Sequence, residues 1–304
     1  MKFLQTTLSL LLASGTTLAA PMPAPAGFVE RMMMVRRNDT EPARKRLALW
    51  EWTLTRDVDA VPGIRASAES LAGSAAVAGT MNWETWVPEE VALPHFPMAR
   101  TPESASNPDS WNQLVGSLQR QQEQGVGAPL VHFLNEPERQ GVSAGDAANL
   151  WREKFLPLRA EQGARLVGPA PASDPQGVAW LDEFMLALGP DEKPDYIGVH
   201  FYTSQDVPSE LEIVAAQTHI STMSTKYGTP VVVSEIASTN RDAGQVDTFT
   251  REMVAWLDAQ DFVFQYGFFG MSLVPADDFV SPAAQLLDQD GNWTNLGRFY
   301  VLNE

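Results

Sequence analysis

From Leu47 onward the chain alternates short apolar runs with longer stretches of mixed polarity. The runs are LALWEW (47–52), SAAVAGTMNW (74–83), EVALPHFPM (90–98), PLVHFLNE (129–136), ARLVGPAPA (164–172), DYIGVHFY (195–202), PVVVSEIA (230–237) and FVFQYGFFG (262–270). They predict eight strands. Between the later runs, residues 143–162, 176–188, 209–227 and 244–260 read as amphipathic helices, with apolar side chains three and four apart, as in Val246, Phe249, Met253, Trp256 and Leu257. Strands alternating with helices favour a parallel sheet, and eight such units favour closure, so the expected fold is α/β, a single (β/α)8 TIM barrel. An open doubly wound sheet competes, but no Gly-rich phosphate loop follows the first run. No repeat or linker divides residues 47–304, a length that suits the roughly 250 residues of one barrel.

Upstream of Leu47 the pattern is different. Lys2, the apolar run from Leu8 to Leu12 and the small residues Thr17, Ala19 and Ala20 form a secretory signal, expected to span residues 1–19 because Pro21 disfavours a cut directly before it. Residues 20–46 lack apolar periodicity and end on Arg44-Lys45-Arg46. They are expected to be a propeptide removed at this dibasic site, the alternative being a solvated charge cluster in a flexible arm. The product is expected to be secreted, extracellular or in a cell wall.

The formal net charge is −17 at pH 7, and loss of residues 1–46 removes seven basic and three acidic side chains, which leaves the remainder more acidic still. Such a surface repels phosphate backbones and anionic bilayers, so neither nucleic acid nor membrane is an expected partner, whereas a neutral polymer is indifferent to it. There is no cysteine, so disulfides and thiolate metal sites are excluded and stability must come from a core. A monomer is expected. Asn38 and Asn292 lie in N-glycosylation triplets, and only Asn292 would survive processing.

Two of the runs end on a carboxylate: the fourth on Asn135-Glu136-Pro137, where proline stops a ladder because it has no amide hydrogen, and the seventh on Glu235. In a (β/α)8 barrel these positions open onto the active-site face. Cleavage of a sugar acetal needs such a pair, one carboxylic acid to protonate the leaving oxygen and one carboxylate to attack or to activate water. The structural alternatives are a loop carboxylate at Glu136 and an ion pair of Glu235 with Arg100 or Arg241, and spacing alone leaves both readings open.

With NEPE at 135–138 and SEIA at 234–237, the chain resembles glycoside hydrolase family 128, the alkali-sensitive-linkage-protein-like catalytic domain common in fungi. KRLALW, Asn82-Trp83, FPM (96–98), GPAPAS, WLDEF, DYIGVHFY and LLDQDGNWTNLGRFY (286–300) agree in order and spacing. The resemblance implies a retaining β-1,3-glucanase needing no metal or organic cofactor, with Glu136 as acid/base, Glu235 as nucleophile and Asn135 on the sugar 2-hydroxyl. His200 and Tyr202, on one side of a strand, fall beside the nucleophile. Asn82, Trp83, Trp50 and Phe268 or Phe269 are candidate sugar contacts, with core packing the other reading of the aromatics. The chain departs from the family where relatives read PMLWG and YAWFG: it has PMART, with Arg100 in place of a tryptophan, and YGFFG. Hydrolysis of another neutral β-glycan, or glucan binding without turnover, are the alternative functions.

Overall fold

The computed structural model describes residues 44–276 and 278–304. The eight expected strands are all present: β1 (Arg46–Leu49), β2 (Val77–Met81), β3 (Met98–Ala99), β4 (Leu130–Phe133), β5 (Arg165–Val167), β6 (Ile197–Phe201), β7 (Val231–Ile236) and β8 (Val263–Phe268). All their pairings are parallel, in two arcs ordered β2-β1-β8-β7-β6 and β3-β4-β5. Single parallel bridges, Thr80 with His95 and Val167 with Tyr196, join the arcs on both sides and complete the ring. The third strand is short because Pro94 and Pro97 interrupt its ladder.

Alternation along each strand sends one set of side chains inward and the other toward the helices. Leu47, Leu49, Met81, Phe96, Met98, Leu130, Val167, Tyr196 and Val232 fill the barrel, while Val131, Phe133, Ile197, Val199, Val231 and Val233 join the larger layer under the helices. At Gly267 an added Cβ would meet Leu49 Cδ2 at 2.5 Å, so this lining position has no room for a side chain.

The four expected helices are present at Ser209–Tyr227, Ala243–Ala259, Pro175–Ala187 and, in pieces, 144–161. The last is an α-helix Ala144–Leu150, a π-helical turn Trp151–Phe155 and an α-helix Leu156–Glu161. Pro157 lacks the amide hydrogen that would continue a uniform ladder there. The first apolar run reads as strand through Trp52, but Glu51 accepts a hydrogen bond from Thr53 N and starts a helix at Trp52 instead. Among the described residues no helix is long and apolar enough to cross a membrane.

The expected signal peptide, and the expected propeptide up to residue 43, lie outside the described residues. Lys45 and Arg46 do not, and both are part of the fold. Lys45 Nζ donates to the carbonyls of Asp258 (3.0 Å) and Gln260 (2.7 Å). Arg46 is the first residue of β1, with its guanidinium bonded to Asp258 (2.8 Å), the Tyr266 hydroxyl (3.1 Å), the Tyr300 carbonyl (2.8 Å) and Asn303 Oδ1 (2.7 Å). Burial opposes this charge, and Tyr266 and Asp258 more than offset it, so the guanidinium is raised above its usual range. Arg46→Ala leaves several of these partners without a donor, and its expected cost is about 2–4 kcal/mol. A urea melt of Arg46→Ala against wild type checks this; an unchanged midpoint would show the bonds to be dispensable.

Candidate active site

The chain leaves β4 through Leu134 and turns sharply at Glu136, whose φ of 40° is in the left-handed region. The turn is fixed from both sides. Asn135 N donates to the Arg100 carbonyl (3.1 Å), Glu136 N to the Ala170 carbonyl (2.9 Å), and Arg139 N back to the Glu136 carbonyl (3.0 Å). Trp83, just past β2, is the second strained residue, with φ of 60°. Asn82 sets its loop, accepting from Glu84 N (3.1 Å) and donating to the Trp86 carbonyl (3.3 Å). Each left-handed non-glycine residue costs about 1–3 kcal/mol, held by its surroundings. Here the backbone is strained at residues facing the barrel mouth.

Glu235 reaches the mouth by a different irregularity. Strict alternation would turn it outward with Val231 and Val233. Between β6 and β7 the register instead runs Val199 with Val233 and then His200 with Glu235, so Ser234 is the extra residue of a bulge. The bulge re-aims Glu235 across the cavity and sets His200 beside it.

His200, fully buried, lies between the two carboxylates. Its Nδ1 is 3.2 Å from Glu136 Oε1 and its Nε2 is 3.5 Å from Glu235 Oε1. Trp83 Nε1 donates to Glu235 Oε1 (2.6 Å) and the Tyr202 hydroxyl to Glu235 Oε2 (2.9 Å). One oxygen of Glu136 lies within 4.8 Å of one of Glu235. Burial raises the Glu235 carboxyl above its usual range, against the opposing pull of His200, Trp83 and Tyr202. Burial also pushes Glu136 upward, but the hydrogen bond and charge of His200 outweigh it and leave this carboxyl lowered. Burial pushes His200 down, and the charges of Glu235 and Glu136 outweigh it, leaving the imidazole above its ordinary 6.5. His132, on β4, is held neutral, with its pKa lowered to about 3 by burial and by the nearby His200 charge.

Of the residues expected at the site, Glu136, Glu235, Asn135, Trp83, His200 and Tyr202 come together. The Asn135 side-chain oxygen is buried with no hydrogen-bond partner. Three expected sugar contacts are corrected. Trp50 is 0% exposed and its indole N–H is taken by Glu90 (2.8 Å), so it is core. Asn82 is 0% exposed and acts on the Trp83 loop. Phe268 is 2% exposed because alternation turns it outward, edge-on to Phe249 and Tyr300. Phe269 is the one that meets the site, 5.6 Å centroid to centroid from Trp83.

Neither suggested ion pair of Glu235 forms. Arg100 pairs with Glu84 (3.2 Å) at the rim of β2 and β3, and Arg241 binds the backbone carbonyl of Val280 (3.0 Å). Sequence reasoning missed Glu138. It is buried two residues past Glu136, accepts from Ala172 N (2.8 Å), and is raised chiefly by burial. Its signal was present, since NEPE ends on it.

Among the described residues, Glu136, His200 and Glu235 are also the group whose ligand atoms lie close enough to surround a metal ion. The ring, however, turns Nδ1 to one carboxylate and Nε2 to the other, on different edges. A single ion would have to break one of these contacts, so the arrangement suits proton sharing better than coordination.

A family model described as glycosyl hydrolase catalytic core matches residues 73–300. No curated protein sequence matches the chain. Among solved structures, a subgroup VI exo-β-1,3-glucanase of glycoside hydrolase family 128 from Aureobasidium namibiae is 32% identical, over 86% of this chain and 97% of that one, with a TM-score of 0.73. A subgroup IV endo-β-1,3-glucanase from Lentinula edodes is 25% identical over 84% and 98%, with a TM-score of 0.66. A subgroup III exo-β-1,3-glucanase from Blastomyces gilchristii, in complex with glucose, is 21% identical over 86% and 99%, at 0.64, a likeness of fold. With the catalytic-core model spanning most of the chain and a relative this similar along nearly its whole length, the chain belongs to glycoside hydrolase family 128.

Proposed function

We propose that this protein hydrolyses β-1,3-glucan with retention of configuration, Glu235 acting as nucleophile and Glu136 as acid/base. The observation that carries the reading is the approach of one oxygen of Glu136 to within 4.8 Å of one oxygen of Glu235 across the mouth, with His200 between them. Retaining glycosidases hold their carboxyl groups about 5–5.5 Å apart, and inverting ones about 6.5–9.5 Å apart to admit a water. The partners of each carboxylate support these roles. Trp83 Nε1–H can only donate, so the Glu235 oxygen that it faces is an acceptor, and the Tyr202 hydroxyl supports the same charged form. Glu136, with its side chain 30% exposed, is open to the leaving group.

In the first step Glu235 attacks the anomeric carbon while Glu136 gives its proton to the departing oxygen. Water, deprotonated by Glu136, then releases the glycosyl ester. The lowered Glu136 and raised His200 describe where that proton rests before substrate arrives. A neutral His200 beside protonated Glu136, and an imidazolium beside ionised Glu136, carry the same total charge. The proton crosses one 3.2 Å contact to interconvert them. A bound sugar removes water from Glu136 and disfavours its charged form, which draws the proton onto the acid. Asn135, half-buried and with its side-chain oxygen unpartnered, is read as the partner of a sugar hydroxyl beside the pair.

The substrate class rests on the relatives: the Aureobasidium namibiae and Lentinula edodes proteins are β-1,3-glucanases, one exo and one endo. A neutral glucan also suits the net charge of −17. Residues 1–19 are proposed as a secretory leader. Because Lys45 and Arg46 are bonded into the barrel, the mature chain is proposed to keep both, with any cleavage upstream of them.

Purified protein on linear and branched β-1,3-glucans tests the reading, with product size and anomeric configuration followed by NMR; β products are expected, and α products would overturn retention. Azide with an activated aryl β-glucoside is expected to rescue Glu136→Ala to a β-glycosyl azide and Glu235→Ala only to the α anomer. The reverse pattern would mean swapped roles. The alkaline limb of kcat/KM is where the Glu136–His200 pair loses its shared proton, and with His200 raised it is expected above 6.5. His200→Gln leaves Glu136 alone to hold that proton. The limb is then expected to move to lower pH, with kcat reduced about 10²-fold; an unmoved limb would rule out proton storage on His200.

A further inference from the structure

We propose that Phe279 is a stacking platform for the glucosyl unit next to the one being cleaved, and so sets how much the enzyme gains from longer chains; this rests on the β-1,3-glucan reading. Phe279 is 47% exposed, one of the few large apolar side chains open to solvent among the described residues. A single exposed phenylalanine is ordinary, so its place decides the matter. Its ring meets Tyr202 edge-on, centroids 5.3 Å apart and planes at 63°. The Tyr202 hydroxyl in turn holds Glu235 Oε2. Phe279 therefore stands one ring outward from a group that positions the nucleophile.

The backbone around Phe279 is clamped from the neighbouring loops. Arg241, beyond β7, donates to the carbonyls of Val280 (3.0 Å), Phe279 (3.4 Å) and Asp278. Gln205, beyond β6, donates to the Asp278 carbonyl (3.2 Å), and Ser281 N to the Ser238 carbonyl (3.2 Å). A ring fixed before binding costs little ordering entropy when a ligand covers it. The pair Phe279–Tyr202 also mirrors the pair Phe269–Trp83 on the other oxygen of Glu235. In each pair a phenylalanine supplied after β8 backs an aromatic donor, but Phe269 is partly buried, whereas Phe279 is exposed.

The chemistry suits a sugar. The C–H bonds on the face of a β-linked glucosyl ring are apolar and slightly positive, and an aromatic face carries the negative side of its quadrupole. Phe279 has no polar atom, so it adds affinity without selecting among hydroxyl patterns. Its contribution belongs to ground state and transition state alike, and so to KM rather than kcat.

Steady-state kinetics on linear β-1,3-gluco-oligosaccharides of increasing length test this with Phe279→Ala, Phe279→Leu, which keeps apolar packing on Tyr202 but lacks a flat face, and Phe279→Trp. The ratio of kcat/KM for long over short substrates is expected to fall about 3–10-fold in the Ala and Leu variants, through KM, and to be kept or raised by Trp. Arg241→Gln is expected to lower the same ratio by loosening the clamp. An equal loss at every length, carried by kcat, would mean that Phe279 merely supports Tyr202, and an unchanged ratio would mean that no sugar reaches it; either result overturns the proposal. A wild type inactive on β-1,3-glucans of every length would instead defeat the reading on which the proposal rests. Calorimetric binding of the same oligosaccharides to wild type and Phe279→Ala would then still decide the role of Phe279.

Discussion

Two carboxylates that bring one oxygen each within 4.8 Å in a largely buried mouth repel each other and lose hydration, and the arrangement depends on the imidazole of His200 between them. That single ring touches strands from both arcs of the barrel, since Glu136 follows β4 while His200 and Glu235 lie on β6 and β7. The constraint therefore reaches beyond the site. Closure of the ring between β5 and β6, made by the bridge of Val167 with Tyr196, is what brings the two arcs within reach of one histidine. His132, neutral and buried near it, adds no charge of its own and leaves the balance to Glu136, His200 and Glu235.

Strained and bulged backbone surrounds the candidate site. Glu136 and Trp83 are two of the three described non-glycine residues at positive φ, and the bulge at Ser234 adds a third departure from ideal strand geometry beside them. The opposite end of the barrel is tied by conventional means: Arg46 joins β1 to Asp258, to Tyr266 on β8 and to the last helix at Tyr300. These ties at the floor supply the surroundings that strained residues at the mouth require.

The stretch after β8 does more than close the fold. It contributes Phe269 against Trp83 and Phe279 against Tyr202, so both donors to Glu235 are backed by rings from one segment. On the β2–β3 rim the Arg100–Glu84 pair puts charge rather than an aromatic ring.

The architecture was legible in the sequence because a barrel strand must be apolar on both faces and a turn must end it. Eight apolar runs, alternation with helical periodicity, and the carboxylates at Asn135-Glu136-Pro137 and Glu235 are local properties, and they determined fold class, strand order and the candidate carboxylate pair. The candidate sugar contacts were not local. Trp50 and Phe268 carry the same residue types as Trp83 and Phe269, and only the direction imposed by alternation and strand end separates core from mouth. The bulge that turns Glu235 inward depends on pairing with β6, and no residue type announces it. Phe279 lies in an irregular loop without periodicity, and its place against Tyr202 exists only once Arg241 has drawn that loop across the barrel. Lys45-Arg46 shows the same limit from the other side: as letters they read as a cleavage site, and only the folded positions of Asp258, Tyr266 and Tyr300 make Arg46 a tie that holds the first strand.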